Sequence, residues 1–324
     1  MRLRWSGEAT VAVLASALLA SSLSSESLYA LRVVGSVAFY VAVSQAVGLV
    51  FAATGQVFLA FGALAGTSVY VSSLLTIHLG LHHAVASAAG VSASVLLGTA
   101  VSTAAAARGI SGMHFGVLTL LVALAFEVLV MGMREVTFGE AGFEVPDPLS
   151  GLGRLASARA YALVGAALLS ASTALNLILL RSRVGVLMRA VGEDAELVRF
   201  SGVNPVRYKA IAAALGSLYA SAAGQLYAHS NGFASPSMFS LAEVDALAYL
   251  VCIVGGLGSA AGVLVAGTGV TLLKEATRGL GELQLAVFGL SLLASVTVMK
   301  SGALSRTLRL TASGRRRPST SNQV

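Results

Sequence analysis

Charge is what this sequence has least of. Of its 324 residues, 11 % are Asp, Glu, Lys or Arg, and none of these occurs between 33 and 107. Ordinary soluble domains run at about 25 % charged, so a soluble globular chain is excluded. Cysteine is reduced to Cys252, which excludes an intrachain disulfide, and nothing around it marks a reactive thiol. Lysine is confined to Lys209, Lys274 and Lys300, and none of them follows a glycine. A phosphate-binding loop of the Gly-Lys-Ser/Thr kind is therefore absent. The chain binds no ATP by that route, needs no cofactor of its own, and leaves any hydrolysis to another chain.

What is present is apolar. Apolar residues make up 56 % of the chain, and the mean hydropathy is +0.84. One crossing of the hydrocarbon takes about 20 mostly apolar residues. Uncharged or nearly uncharged runs predict ten crossings, near 9–25, 33–53, 56–77, 80–107, 113–133, 159–180, 210–230, 241–258, 262–279 and 283–300. The fold class is all-α, a polytopic transmembrane helical bundle. The 35 glycines suit close helix packing in lipid. The first run also resembles a signal peptide, with Arg2 and Arg4 before a short apolar core. No small-residue cleavage site follows, which favours retention.

Net charge is +7. In a soluble protein that would suggest nucleic acid. Here the bases lie in loops and at the tail, where they read as topology signals and as contacts to anionic lipid, with no nucleic-acid partner. Arg2, Arg4, Arg108, the six bases of 181–209 and the cluster from Lys300 to Arg317 all fall on one side if ten crossings follow an internal N-terminus. That places both termini in the cytoplasm and the acidic loop 134–158 outside the cell membrane. Residues 1–310 then form a single transmembrane domain, and the basic stretch 311–324 is expected to be disordered.

The segment "RSRVGVLMRAVGEDAELVRFSGVNPVRYK", 181–209, interrupts the apolar runs. Leu187, Val191, Ala195 and Val198 form an apolar stripe at helical spacing. Glu196 and Arg199 are an i,i+3 pair on another face. Gly202 and Pro205 supply a stop. The spacing predicts one short amphipathic helix. A surface helix in a positive-inside loop explains it, and so does a docking element for another protein.

The order of this segment, then "ASAAGQLYAHSNGFASPSMF", then "VGGLGSAAG", is similar to the second half of ABC permeases for branched-chain amino acids. The matching positions include Arg181, Ser182, Gly185, Arg189, Ala190, Glu193, Asp194, Ala195, Gly202, Val203, Asn204, Tyr208 and Lys209. "GLVFAATGQVFLAFGALAG" and "MHFGVLTLLVALAFEVLV" followed by "TFGEAGFEVPDP" resemble the first half of the M-type subunit. The sequence departs from that pattern at Phe58 and Phe61, at Val263 after Gly262, and at "KSGALS". The resemblance implies a permease subunit of an ATP-driven importer working by alternating access. Its partners would be a second similar permease, two cytoplasmic ATPases that bind the ATP, an external solute-binding protein and a small amino acid. It implies that Arg189, Glu193, Asp194, Ala195, Val198, Gly202 and Asn204 couple the chain to an ATPase. A permease for an amide or urea-like solute and a self-powered secondary transporter are the competing functions.

Other residues carry weaker signals. Glu127 sits inside an apolar run, where a carboxylate lines a path or pairs structurally. Thr54, Gly55, Gln56 and Gly62 interrupt two crossings and serve either a cavity or helix packing. His78, His82 and His83 suit an interfacial turn better than a metal site, lacking a nearby Cys or carboxylate. Ser111 and His229 fall at opposite ends of the predicted topology, which excludes a nucleophile–base dyad. Gly258 and Gly262 fit close packing and a sharp turn.

Overall fold

In the computed structural model, the described residues are 27–280 together with 289 and 290. The run predicted at 9–25, the tail from 311 and all of the run at 283–300 except 289 and 290 lie outside them. The chain divides into two compact units, Met1–Ala276 and Thr277–Val324. The helices discussed below belong to the first.

Eleven α-helices occur among the described residues of that unit. They are α1 Leu28–Thr54, α2 Phe61–Leu79, α3 His83–Ala107, α4 Gly112–Gly132, the short α5 Arg134–Thr137, α6 Arg154–Leu179, α7 Arg183–Glu193, α8 Ala195–Phe200, α9 Pro205–Asn231, α10 Ala246–Gly255 and α11 Ala260–Ala276. Two two-residue strands, β1 Phe143–Glu144 and β2 Phe233–Ala234, pair antiparallel with Phe143 opposite Ala234. Among the described residues the fold is all-α apart from this ribbon. Among the described residues five helices are long and apolar enough to cross a membrane: α1, α2, α3, α4 and α6.

The bundle is built around α1. It is buried along nearly its whole length, and α2, α6, α7, α9, α10 and α11 all pack on it. α9 is as long as α1 but richer in Ser, Gly and polar side chains. It survives in the bundle because α1, α2, α3 and α6 surround it. Small residues permit these approaches. A Cβ on Gly90 would lie 2.3 Å from the carbonyl oxygen of Ser68, and one on Gly224 would lie 2.8 Å from the Cβ of Ala65. Polar pins cross the helix seams. Gln45 Nε2 donates to the Ala260 carbonyl at 2.7 Å, Asn176 Nδ2 to Gln45 Oε1 at 2.7 Å, and the Tyr219 hydroxyl to Asn176 Oδ1 at 3.1 Å. These bonds tie α1, α6, α9 and α11 together where an unpaired amide would be costly.

The two ends of the bundle differ. The ribbon β1–β2 marks one end, with the loop 138–153. α7 and α8 lie at the other, between α6 and α9. The predicted single amphipathic helix is in fact these two helices. Asp194 leaves helical geometry (φ −151°, ψ 100°), and its Oδ1 accepts from the N–H groups of Glu196 and Leu197 at 3.0 and 2.9 Å. An acidic N-cap of this kind starts a new helix. The stripe is accordingly split. Gly185, Met188 and Val191 are buried on α7, while Ala195 and Val198 are half-buried on α8.

Candidate functional site: two interrupted helices joined to a surface linker

Gly55 (φ 65°) stops α1, and its N–H returns to the Phe51 carbonyl at 2.9 Å. The chain then runs non-helically through 55–60 before α2 begins, five residues later than the apolar run predicted. Non-helical backbone in an apolar bundle needs partners from elsewhere in the protein. Tyr249 of α10 supplies one set: its hydroxyl accepts from Phe58 N at 2.9 Å and faces the Phe58 carbonyl at 3.3 Å. Thr119 of α4 accepts from Leu59 N at 3.0 Å. Asp245, fully buried, accepts from Phe61 N at 2.8 Å through one carboxylate oxygen and from Gly62 N at 3.0 Å through the other. It caps α2, whose first N–H groups have no partner within the helix.

The second interruption provides that aspartate. After β2 the chain makes a 3₁₀ turn, Pro236–Phe239, then a π-helical turn, Leu241–Asp245, and only then enters α10. The run predicted at 241–258 is thus a broken helix. Ser240 Oγ caps the π turn by accepting from Glu243 N at 3.3 Å, and Glu127 Oε1 accepts from Leu241 N at 3.3 Å. π turns recur at functional sites.

The predicted path residues fall in three places. Thr54, Gly55 and Gln56 lie at the α7 end. Gln56 Oε1 accepts from Thr54 Oγ1 at 3.4 Å and from Ser102 Oγ at 3.3 Å, while its buried Nε2 has no protein partner. Gly62 lies against the broken helix. A Cβ there would stand 2.6 Å from the Phe239 carbonyl and 2.9 Å from Asp245 Oδ2, so only glycine permits this contact. Glu127 touches the same segment from α4.

The linker residues gather at the far end. Asp194 and Asn204 are N-caps, the latter accepting from Val206 N at 3.0 Å, and Gly202 (φ 81°) ends the turn after α8. Arg189 and Glu193 are exposed. α7 is seated directly on the first interruption. A Cβ on Gly192 would lie 2.9 Å from the Thr54 carbonyl carbon and 3.1 Å from Gly55 N. Outward, the linker presents Leu197 at 64 % and Phe200 at 88 % exposure. Reading the stripe as one helix missed both. The Asp before "AELVRF" was the available signal.

Other sequence signals have structural explanations. His78 Nε2 lies 3.3 Å from the Val136 carbonyl, and His82 Nδ1 caps α3 by accepting from Ala84 N. Among the described residues no three His, Cys, Asp or Glu side chains converge on a metal-sized site. Ser111 stands just before the first turn of α4, and His229 stacks on Tyr161. A Cβ on Gly262 would lie 1.9 Å from the Gly255 carbonyl oxygen and Gly258 takes φ 85°, so Gly258 and Gly262 both serve the tight α10–α11 turn. Cys252 is buried and donates to the Ser44 carbonyl.

Comparison with known families is decisive here. The model of the branched-chain amino acid transport system / permease component family matches residues 29–296. The chain belongs to this family. It is 25 % identical over 278 residues to the high-affinity branched-chain amino acid transport system permease protein LivM of Escherichia coli K12, covering 77 % of this chain and 64 % of that protein. It is 30 % identical over 111 residues to LivM of Salmonella typhimurium LT2, covering 34 % of this chain and 26 % of the relative. The match thus spans less than two thirds of either relative's length. No solved structure matches. The chain is a multi-pass membrane permease component, and the interruptions and the linker are features of a permease.

Proposed function

We propose that the chain is a membrane subunit of an ATP-driven importer for branched-chain or related hydrophobic amino acids. One observation carries the reading: the linker, the first interruption and the second interruption form a continuous line of contacts. α7 meets Thr54 and Gly55 through Gly192. Segment 55–60 is held by Tyr249, and the start of α2 by Asp245. Both belong to the second interrupted helix. A push on α7 and α8 is thereby delivered to the two places where backbone is not locked into a continuous helix, which suits alternating access.

On this reading two cytoplasmic ATPases bind and hydrolyse the ATP, and one of them grips α8 through Leu197 and Phe200. A second, similar permease completes the path, and a solute-binding protein delivers the solute from outside. Ten crossings, with both termini and residues 181–209 cytoplasmic and 134–158 external, give the orientation. Arg189, Glu193, Asp194, Ala195, Val198, Gly202 and Asn204 shape and charge the coupling surface, while Thr54, Gly55, Gln56, Gly62 and Glu127 belong to or border the moving segments.

A secondary transporter is the second reading, because the described residues place ionisable groups beside α1 at mid-length. Uptake of labelled leucine by the reconstituted assembly separates the two. The importer reading expects uptake that requires ATP, survives ionophores, and is lost in Leu197→Asp with Phe200→Asp at unchanged membrane levels. Uptake that follows an ion gradient without ATP, or a double variant that transports normally, would overturn it.

A further inference from the structure

The π turn carries a charged side chain that the coupling line does not use. Glu243 is paired with Lys274 of α11. Lys274 Nζ also donates to the Tyr40 hydroxyl at 2.7 Å and lies 4.4 Å above the Tyr40 ring. Tyr40 stands on α1 about 18 Å from one end of that helix and about 21 Å from the other, at 1.5 Å per residue. The hydrocarbon is about 30 Å thick. Glu243 lies between β2 and α10, and Lys274 is two residues from the end of α11, so the acid, the base and the phenol meet in the half of the bundle nearer the β1–β2 ribbon.

Their exposures differ in an informative way. Tyr40 is buried and the Lys274 side chain is 17 % exposed, but that of Glu243 is 49 % exposed. A half-open carboxylate within that half of the bundle faces water or protein rather than hydrocarbon. Nor is stability a sufficient reason for the pair, since an ion pair with one partner half exposed contributes little to stability. Glu243 stands on a π turn rather than on a continuous helix, within the segment that the coupling line reaches.

We propose that Glu243 and Lys274, with Tyr40, form a station for the charged end of a zwitterionic amino acid on the translocation path. The proposal rests on the importer reading above. An α-amino acid carries one ammonium and one carboxylate on adjacent atoms. Glu243 would take the ammonium, and Lys274, steadied by Tyr40, the carboxylate. The resting ion pair is exchanged for two new ones with no net charge added at membrane depth, so the desolvation cost of the zwitterion is offset by groups already in place. Asp245 is not part of the station: it is fully buried and both its oxygens are committed to α2.

The test uses the full chain reconstituted with its partners, on a Cys252→Ala background. Ala242 is exposed beside Glu243, and Ala242→Cys is treated with a water-borne cationic thiosulfonate. We expect modification, slowed by leucine. Glu243→Gln and Lys274→Gln should each raise KM for leucine roughly ten- to a hundredfold, as expected for a lost charge-assisted bond. The exchanged pair, Glu243→Lys with Lys274→Glu, guards against a folding defect. It should restore membrane levels but not KM, because it reverses the polarity offered to the ligand. An exchanged pair that transports with wild-type KM, or an Ala242→Cys thiol that the reagent never reaches, overturns the station while leaving the importer intact. Wild-type protein that takes up no amino acid under ATP overturns the importer reading, and the ligand assignment with it.

Discussion

α1 and the segment 233–255 run side by side through the same bundle, and they are built on opposite plans. α1 has one backbone conformation from Leu28 to Thr54 and no charged side chain after Arg32. Segment 233–255 changes from strand to 3₁₀ turn to π turn to α-helix and carries Glu243 and Asp245. α1 needs little from its neighbours for its backbone, since its hydrogen bonds are internal. The other segment trades hydrogen bonds with distant elements: with Phe61 and Gly62 through Asp245, with Phe58 through Tyr249, and with Glu127 through Leu241. A continuous helix supplies a fixed axis, and an interrupted one supplies groups that can change partner.

The sharpest break in this comparison comes from Asp245→Leu. Two buried N–H groups at the start of α2 lose their acceptors, at about 1–3 kcal/mol each. Folded protein in detergent should fall steeply, as read by size-exclusion and by the apparent melting temperature. Asp245→Asn keeps one acceptor oxygen and should lose about half as much. An Asp245→Leu protein that melts with the wild type would mean that α2 needs no outside cap.

The smallest effect is expected on α1. Ser36 bonds only the carbonyl one turn back, at 3.3 Å on the exposed side. Ser36→Ala should change stability by no more than about 0.5 kcal/mol. A large loss of melting temperature there would show that α1 depends on its neighbours as the broken segment does.

The contrast also explains what could be read in the sequence. Long uncharged runs locate α1, α3, α4, α6 and α9 to within a few residues, because length and hydropathy decide a continuous helix. The late start of α2 was hidden. Gln56 to Ala60 is uncharged and largely apolar, and its non-helical form depends on Tyr249, Thr119 and Asp245, all remote in sequence. Glu243 and Asp245 stood at the start of an apolar run and looked like a helix boundary. Their roles follow from what they meet in space: Lys274 for one, the amides of α2 for the other. Glu127 and Gly62 could be picked out as anomalies in apolar runs, but no periodicity revealed that both touch segment 239–245. In the linker, the resemblance singled out Asp194, Gly202 and Asn204, which stand at its two caps and its turn, whereas the stripe pointed inward. The exposure of Leu197 and Phe200 follows from the break that Asp194 makes.

The central claim is that movement at α7 and α8 reaches the interrupted helices. The direct measurement is the modification rate of Ala242→Cys, on the Cys252→Ala background in the reconstituted assembly, with and without ATP. The account predicts a severalfold change in rate on ATP addition, abolished by Leu197→Asp with Phe200→Asp. A rate that is the same with and without ATP, in an assembly that still imports leucine, would contradict it.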